Sequence, residues 1–247
     1  MKISIITATY NSAATISSCI ASVNEQTYPD IEHIIIDGAS KDNTLEIIKS
    51  MPNRVSKIVS EPDGGIYDAM NKGINFTTGE IMGILHSDDL FYSDETLKYI
   101  SSAFSVSNAD VVYGDLIIVE KNNTGKIRRY WKSKSFKPNL LNRGWMPAHP
   151  TVFMRKGVYK KHGLFNLNMK ISADYDFMLR VFSDPNLKFF YLPEVITKMR
   201  EGGASNGSLK KMILKTKEDY IALKKNSVPD PIWALMNKKI TKFVQYI

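Results

Sequence analysis

Carboxylates follow three apolar runs in the first 90 residues. Asp37 ends one run, Glu61 and Asp63 follow the next, and Asp88 and Asp89 follow a third. Each residue alone is typical of a turn or a helix cap. Clustered together, however, they would repel one another unless cations or ligand donors offset their charge. Because carboxylate oxygens suit Mg²⁺ or Mn²⁺, the set indicates a metal-assisted site for an anionic ligand.

The elements that must position these residues can be predicted from periodicity. Short apolar runs alternate with helical spacing through the first half of the chain. The predicted strands cover residues 2–9, 31–37, 55–60, 80–85 and 110–119, and the predicted helices cover residues 12–26, 42–51, 66–76 and 94–104. This alternation indicates an α/β fold with a mostly parallel sheet covered on both faces. Ligands bind such sheets at the carboxyl ends of the strands, where the acidic residues are expected.

The pattern is looser after residue 120. The predicted elements are a basic turn leading into a short strand (121–137), a strand (147–154), a helix (173–182), a strand (187–192), a glycine-rich loop (201–207) and two helices (209–225 and 231–246). We expect one domain over residues 1–205, with halves 1–120 and 121–205, followed by a helical tail over residues 206–247.

Charge is unevenly distributed along the 247 residues, whose net charge is +8. Residues 1–120 carry 7 basic and 17 acidic side chains, whereas residues 121–199 carry 16 basic and 4 acidic ones. A nucleic-acid binder would not keep so acidic a half, so no nucleic-acid partner is expected. The single cysteine excludes a disulfide framework, and no apolar run is long enough for a membrane span or a signal peptide. A cytoplasmic location is expected.

The turn after the first predicted strand argues against two nucleotide-binding motifs. Residues 7–12 contain no glycine, so the turn is not the G-x-G-x-x-G loop of dinucleotide-binding folds, and no P-loop occurs in the chain. A nucleoside diphosphate at this edge would therefore need a bound metal in place of a glycine-rich cradle.

Four ordered motifs carry a resemblance to a known family. They are Thr9-Tyr10-Asn11, the run from Asp37 to Thr44, the run from Glu61 to Gly73, and Ser87-Asp88-Asp89. These segments resemble the family 2 glycosyltransferases, which have a GT-A (Rossmann-like) fold and are typically inverting. The likeness is close over residues 3–90 and continues more loosely to residue 205.

The resemblance implies a donor site for a nucleoside diphosphate sugar. Its residues are Thr9, Tyr10, Asp37, Asp63, Asp68, Lys72 and Asp88. In relatives of this kind, the first two line the nucleobase. Asp37 would accept a hydrogen bond from a base N–H, which favours uracil. The next three would frame the ribose and phosphates, where the Lys72 amine supplies a point charge.

The resemblance also implies a metal site. Asp88 and Asp89 would hold Mg²⁺ or Mn²⁺, which bridges the two phosphates and neutralises the departing diphosphate. The family motif often reads Asp-x-Asp-Asp, and His86 stands at its first position in this chain.

A second group of residues matches the catalytic segment of the family. Asp174 takes the position of the general base, which deprotonates the acceptor hydroxyl, and Asp176 is the second choice. Ala173 stands where many members carry Glu. The alternative interpretation is that Asp174 only stabilises the first turn of a helix through the helix dipole.

Two further residues have two interpretations each. His149, before Pro150, either lines the acceptor site or contacts phosphate, or it is structural. Gly203 lies in a segment that resembles a Gly-Gly-x-Ser loop, which either closes over the donor or is an ordinary turn.

The last predicted helix is amphipathic. Its apolar face comprises Met236, Ile240, Phe243, Val244 and Ile247, and lysines including Lys238 lie on the other face. Such a helix fits the surface of an anionic membrane, which would place the enzyme at its inner face beside a lipid-linked acceptor. The alternative is a helix docked on the domain with solvated lysines.

The expected function is metal-dependent, inverting glycosyl transfer of the hexosyltransferase type, from a UDP-sugar to a hydroxyl of a glycan or lipid-linked glycan in polysaccharide biosynthesis. A nucleotidyltransferase is one alternative, although it needs a glycine-rich, basic grip after the first strand. A non-catalytic protein that binds anions or membrane surfaces is the other, although it leaves the carboxylates without a role.

Overall fold

Strands and helices alternate through the first half of the chain. The protein is described by a computed structural model over residues 1–202 and 209–243. The strands are β1 (Ile3–Thr9), β2 (Ile31–Asp37), β3 (Val55–Ser60), β4 (Ile81–Ile84), β5 (Leu90–Phe91), β6 (Val111–Glu120), β7 (Asn123–Trp131), β8 (Val152–Arg155) and β9 (Phe189–Arg200). The helices are α1 (Ile16–Asn24), α2 (Thr44–Ser50), α3 (Ile66–Phe76), α4 (Thr96–Ser107), α5 (Lys156–His162), α6 (Ala173–Phe182), α7 (Leu209–Lys225) and α8 (Pro231–Phe243).

The described strands form one mixed sheet of nine strands. Eight of them lie in the order β3-β2-β1-β4-β8-β6-β9-β5, and β7 pairs with β6. The first four strands are parallel to one another, and β6 is parallel to β9, whereas β8 runs antiparallel to both of its neighbours. The predicted α/β fold is therefore confirmed, with antiparallel strands confined to the second half and to β5.

Helices cover both faces of the sheet, as the alternation predicts. One apolar core joins the sheet to α3, α6 and α7, and a second joins it to α1 and α4. Close packing positions α3, because a Cβ on Gly73 would lie 2.3 Å from the Ile6 side chain. This glycine lets α3, which follows the acidic turn after β3, lie directly against the central strand β1.

Several predicted boundaries in the second half were wrong. The basic turn and short strand expected over 121–137 are a nine-residue strand, β7, whose largely exposed side chains hide the apolar alternation. The strand expected over 187–192 extends to Arg200, because β9 continues to pair with β6. The strand expected over 147–154 begins with a 3₁₀ helix, His149–Thr151, because Pro150 has no N–H for a ladder.

The last two helices pack against the rest of the chain, but not in the predicted orientation. Leu223 of α7 and Ala234 of α8 are fully buried. Lys238, expected in solvent, instead has a side chain that is only 12% exposed, and its amine lies 2.8 Å from the Asp219 carboxylate. The exposed face of α8 is apolar and comprises Ile232, Trp233, Met236 and Ile240.

Part of the predicted apolar face of the tail lies outside the residues that the structure describes. Val244 and Ile247 are outside the described residues, whereas Met236 and Ile240 are more than half exposed. None of the helices within the described ranges is long and apolar enough to cross a membrane.

Candidate active site

The carboxyl ends of the first three strands lie level with one another. Thr9 pairs with Asp37, and Asp37 pairs with Ser60. The Asp37 carboxylate is fully buried and accepts hydrogen bonds from the Ser40 N–H (3.0 Å), the Ser40 hydroxyl (2.5 Å) and the Ser60 hydroxyl (2.7 Å). It therefore fixes the loop after β2. About four lone-pair positions exist on a carboxylate, so about one remains for an incoming N–H donor.

The end of β1 presents one buried and one exposed side chain at this edge. Thr9 is buried, and its hydroxyl has no hydrogen-bond partner among residues 1–202 and 209–243. The Tyr10 side chain is 57% exposed. An unsatisfied hydroxyl beside an exposed aromatic ring suits the binding of a flat polar group such as a nucleobase.

The turn between β3 and α3 brings two more predicted residues to the same edge. Asp63 accepts the Gly65 N–H (2.8 Å), and Asp68 accepts the Gly64 N–H (2.9 Å). Gly65 has φ +114°, a conformation that favours glycine. The Asp63 carboxylate lies beside the loop after β2, because a Cβ on Gly38 would lie 2.6 Å from its Oδ2.

Lys72 on α3 is held among acidic groups at this edge. Its amine lies 2.8 Å from Glu61 and 3.5 Å from Asp68. The hydrogen bond to Glu61 and the neighbouring carboxylates raise the pKa of Lys72 above its usual value. The side chain therefore stays charged and is oriented along the rim, as a phosphate contact requires.

Asp89 is a buried carboxylate without a partner. Its side chain is 1% exposed, and neither oxygen has a hydrogen-bond partner in the described part of the chain. Burial and the adjacent Asp88 carboxylate raise the pKa of Asp89 well above its usual value, and the nearby Arg200 offsets only part of this. Such a group is costly unless a cation reaches it.

The chemistry of this pair fits a divalent metal shared with a ligand. No group of three His, Cys, Asp or Glu side chains that could hold a metal occurs among the described residues. Two adjacent carboxylates, Asp88 and Asp89, therefore offer a partial ligand set, and Mg²⁺ commonly takes its remaining ligands from water and substrate phosphates. The unsatisfied oxygens of Asp89 are the feature that a bound cation would explain.

Arg200, at the end of β9, holds the loop that carries these carboxylates. Its guanidinium donates to the Asp88 carbonyl oxygen (2.5 Å) and to the Ser18 hydroxyl (3.0 Å). The side chain is 9% exposed. The basic strand β9 thus fixes the backbone of an acidic loop more than 100 residues earlier in the sequence.

A chain of hydrogen bonds connects this loop to the predicted base. His86 Nε2 lies 2.8 Å from His149 Nε2, and His149 Nδ1 lies 3.1 Å from Asp174 Oδ2. Burial, with a smaller effect from His149, lowers the pKa of His86 to about 3, so His86 is neutral. The Nδ1–H of His149 faces the Asp174 carboxylate, and the contact between the two Nε2 atoms needs one proton, which either imidazole can donate to the other.

Asp174 lies in the first turn of α6, and each of its two oxygens has one partner. Its Oδ1 accepts a hydrogen bond from the Tyr67 hydroxyl (3.2 Å), in addition to the contact with His149. Burial acts to raise the pKa of Asp174, but the hydrogen bond and charge of His149 and the charges of Lys238 and Lys215 outweigh it. The pKa therefore lies below its usual value, and Asp174 is ionised.

Glu218 on α7 positions the start of α6. Its two oxygens accept the backbone N–H groups of Lys170 (2.9 Å), Ile171 (2.8 Å) and Ser172 (2.9 Å). A carboxylate here also complements the positive end of the helix dipole. The last helices of the chain thereby fix the orientation of the predicted base.

A cavity of about 520 Å³ opens beside Asp174. Its wall includes His149, the rings of Trp131 and Trp145, and the Lys215 side chain. The predicted donor residues are not part of this wall. The Asp174 carboxylate therefore lies where a molecule in the cavity can reach it.

One predicted residue is not brought to this site, and another cannot be placed. Asp176 is fully buried and accepts hydrogen bonds from Arg180 (3.1 Å) and Asn226 (3.2 Å), so it joins α6 to the end of α7. Gly203 lies outside the described residues.

The sequence did not single out Tyr67, Arg200 or Glu218. Tyr67 lies within a matched motif, and its position next to Asp68 was the available signal. The other two act through contacts with segments that lie far from them in the sequence. Because no pattern of spacing reports such contacts, they emerge only from the fold.

The chain is similar in sequence to known proteins. The family model described as Glycosyl transferase family 2 matches residues 4–163. A PGL/p-HBAD biosynthesis glycosyltransferase of Mycobacterium bovis (strain BCG / Pasteur 1173P2) is 34% identical over 217 residues, covering 86% of this chain and 82% of the relative.

Two solved structures have a similar fold. S. aureus TarS 1–349 in complex with UDP-GlcNAc superposes with a TM-score of 0.73 at 19% identity, covering 99% of this chain and 72% of TarS. The mannosyltransferase PcManGT of Pyrobaculum calidifontis, in complex with GDP-Man and Mn²⁺, superposes with a TM-score of 0.67 at 19% identity, covering 96% and 68%. With these matches, the chain belongs to glycosyl transferase family 2 and is a glycosyltransferase with the GT-A fold.

Proposed function

We propose that this glycosyltransferase is metal-dependent and inverting, and that it transfers a sugar from a UDP-sugar to a hydroxyl of a glycan or lipid-linked glycan in polysaccharide biosynthesis. The observation that carries the proposal is the arrangement around Asp174. An ionised carboxylate stands beside a cavity, and two hydrogen bonds connect it to the loop of the unpartnered Asp89.

The acidic edge supports binding of the nucleotide. Asp37 has an acceptor position that favours the imide N–H of uracil, and the exposed Tyr10 ring covers the base. Lys72 and the turn with Asp63 lie where the ribose and phosphates follow. TarS is similar in fold and was solved with UDP-GlcNAc, which supports UDP as the carrier.

Asp88 and Asp89 are the residues that would hold Mg²⁺ or Mn²⁺, and PcManGT, solved with GDP-Man and Mn²⁺, supports such a cofactor. When bound, the metal neutralises the charge that develops on the departing diphosphate. The chain contributes a fixed loop, because Arg200 anchors its backbone.

Asp174 is the general base of this proposal. The acceptor oxygen attacks the anomeric carbon from the face opposite the nucleotide, its proton passes to Asp174, and the bond electrons leave with UDP. The acceptor hydroxyl becomes acidic only as its oxygen bonds to carbon, so a weakly basic carboxylate can take the proton at that stage. His149 and Tyr67 keep the carboxylate ionised and oriented.

Thermal unfolding tests the donor site. The midpoint is measured with UDP, GDP, CDP, TDP and ADP, each with Mn²⁺ and with a chelator. A ligand at one hundred times its Kd stabilises by about 2.7 kcal/mol, which for a chain of this length is a shift of several degrees. A shift with UDP that vanishes on chelation is expected, whereas no shift with any nucleotide would contradict the proposal.

We also propose that the exposed face of the last helices contacts an anionic membrane, which places the enzyme beside a lipid-linked acceptor. On α8 this face comprises Ile232, Trp233, Met236 and Ile240, and on α7 Met212 and Ile213 are also exposed among lysines. Apolar side chains with a tryptophan beside basic residues suit an anionic lipid surface.

Vesicle sedimentation tests this contact. Wild type should sediment with vesicles containing phosphatidylglycerol, and the triple variant Ile232→Ser, Trp233→Ser, Met236→Ser should not. Val106→Ser is the matched control, because Val106 is 87% exposed on α4. Equal sedimentation of all three proteins would contradict the contact.

A further inference from the structure

The cavity beside Asp174 is positioned to receive the acceptor. Its wall is built from β6, β7, the segment that precedes His149, and helices α6, α7 and α8. None of the predicted donor residues contributes to it, and Asp174 lies at its edge. If the donor binds at the acidic strand ends, this cavity holds the group that attacks.

The wall of the cavity carries more positive than negative charge. It has five cationic side chains, Arg129, Lys132, Lys134, Lys215 and Lys238, and two carboxylates, Asp174 and Asp219. Lys238 is neutralised by Asp219 at 2.8 Å. Three of the others, Lys132, Lys134 and Lys215, make no ion pair with any described residue. Positive charge in a concave site attracts anions.

The same wall contains buried polar atoms without partners. The Ser172 and Tyr175 hydroxyls and one oxygen of Asp219 have no hydrogen-bond partner within residues 1–202 and 209–243. All three side chains are at least 95% buried. Unsatisfied groups of this kind are typical where a polar ligand or ordered water completes the site.

We propose that the acceptor carries a phosphate group, bound in this cavity by Lys132, Lys134 and Lys215 near the hydroxyl that Asp174 deprotonates. This inference rests on the proposed function and specifies its acceptor. Lysine ammonium groups act as separate point charges, so three of them can contact different oxygens of one phosphate group, which offers more oxygens than a carboxylate. Arg129, the one arginine in the wall among the described residues, is 7% exposed and packs over the Trp131 ring.

Ligand-observed NMR tests the phosphate site directly. Saturation transfer is measured with glucose 6-phosphate, dihexanoyl phosphatidylglycerol, glucuronate and glucose, in the presence of UDP and Mn²⁺ so that the donor site is filled. At least one of the two phosphates should bind at least tenfold more tightly than glucuronate and glucose. The sugar phosphate and the lipid phosphate then distinguish a glycan from a lipid as the source.

Variants locate the site. Affinity for the phosphate probe should fall at least fivefold, with UDP binding unchanged, in each of the variants Lys132→Gln, Lys134→Gln and Lys215→Gln. Lys160→Gln, an exposed lysine on α5, is the matched control and should change neither.

Two results would overturn the inference. One is equal binding of glucuronate or glucose, or no binding of either phosphate, while UDP still binds. The other is a loss of UDP affinity in the lysine variants, which would assign these lysines to the donor. Failure of wild type to bind any nucleotide is a different result, because it contradicts the donor site itself.

Discussion

A pair of histidines, His86 and His149, connects the acidic strand ends to the basic cavity, and each side holds a carboxylate whose pKa is shifted in the opposite direction. Asp89, on the acidic side, has no partner, and its pKa is raised by burial and by Asp88. Asp174, on the basic side, has two partners, and its pKa is lowered despite burial. Asp89 needs a cation from solution, whereas the chain itself already supplies Asp174 with two partners.

This difference matches the chemistry proposed for each side. A diphosphate that binds and departs requires a charge that can be supplied with it, so an incomplete ligand set is suitable there. A base must be ionised at the start of every turnover, so its partners are permanent side chains. The two sides should therefore respond differently to substitution.

The largest effect is expected for Asp174→Asn. The amide cannot accept the hydroxyl proton, so the transfer rate should fall about 10³-fold. Turnover is followed as release of UDP from the sugar donor, and UDP affinity is measured on the same sample. A variant that loses UDP affinity as well would assign Asp174 a structural role instead.

A smaller loss is expected for His149→Gln. Glutamine can still donate to Asp174 but carries no charge, so the effect of burial should raise the pKa of Asp174. The rate should fall about 10- to 100-fold through altered orientation of the base. The acid limb of the pH–rate profile should move to higher pH, and an unmoved limb would show that His149 does not influence the base.

Glu218→Gln should weaken the contact between α7 and the start of α6, the helix that carries the proposed base. The amide can accept at only one of its two ends, so part of the network at Lys170, Ile171 and Ser172 is lost. We expect a loss of about 2 kcal/mol in the free energy of unfolding. Denaturant unfolding measures it, with Glu201→Gln, an exposed residue, as the control.

The smallest effect is a gain in stability, and it concerns the metal-free protein. Because the pKa of Asp89 is raised in the folded state, ionised Asp89 destabilises the fold. This free-energy cost is absent below about pH 4 and grows as the pH rises towards the folded-state pKa. Asp89→Asn should therefore be more stable than wild type at pH 7 and equal to it near pH 4. Denaturant unfolding at both pH values, in chelator, checks this; a variant less stable at pH 7 would refute it.

The two sides also differ in how far they could be predicted from the sequence. The strands β1, β2 and β4 are buried on both faces, so their apolar runs predict them, and the acids at the strand ends were placed correctly at one edge. The strand β3 was also predicted, although most of its side chains are exposed. The strand β7 is largely exposed, and its pairing with β6 is invisible to periodicity. The solvent exposure predicted for Lys238 in the tail was wrong, because only the fold brings the Asp219 carboxylate to its amine.

The contact between His86 and His149 shows the same limit of sequence-based prediction. His86 was noticed because it departs from the acidic family pattern, and His149 because it precedes a proline. Their contact at 2.8 Å joins residues 63 positions apart, so no local signal reports it. Composition and motifs predict which groups belong to the site, and packing decides which of them touch.

Thermal unfolding with UDP and Mn²⁺, measured side by side on Asp89→Asn and Asp174→Asn, tests the division of roles most directly. The midpoint of Asp174→Asn should rise with UDP and Mn²⁺ by as much as that of wild type, and the midpoint of Asp89→Asn should not rise. A full UDP and Mn²⁺ shift in Asp89→Asn, or its loss in Asp174→Asn alone, would contradict the account.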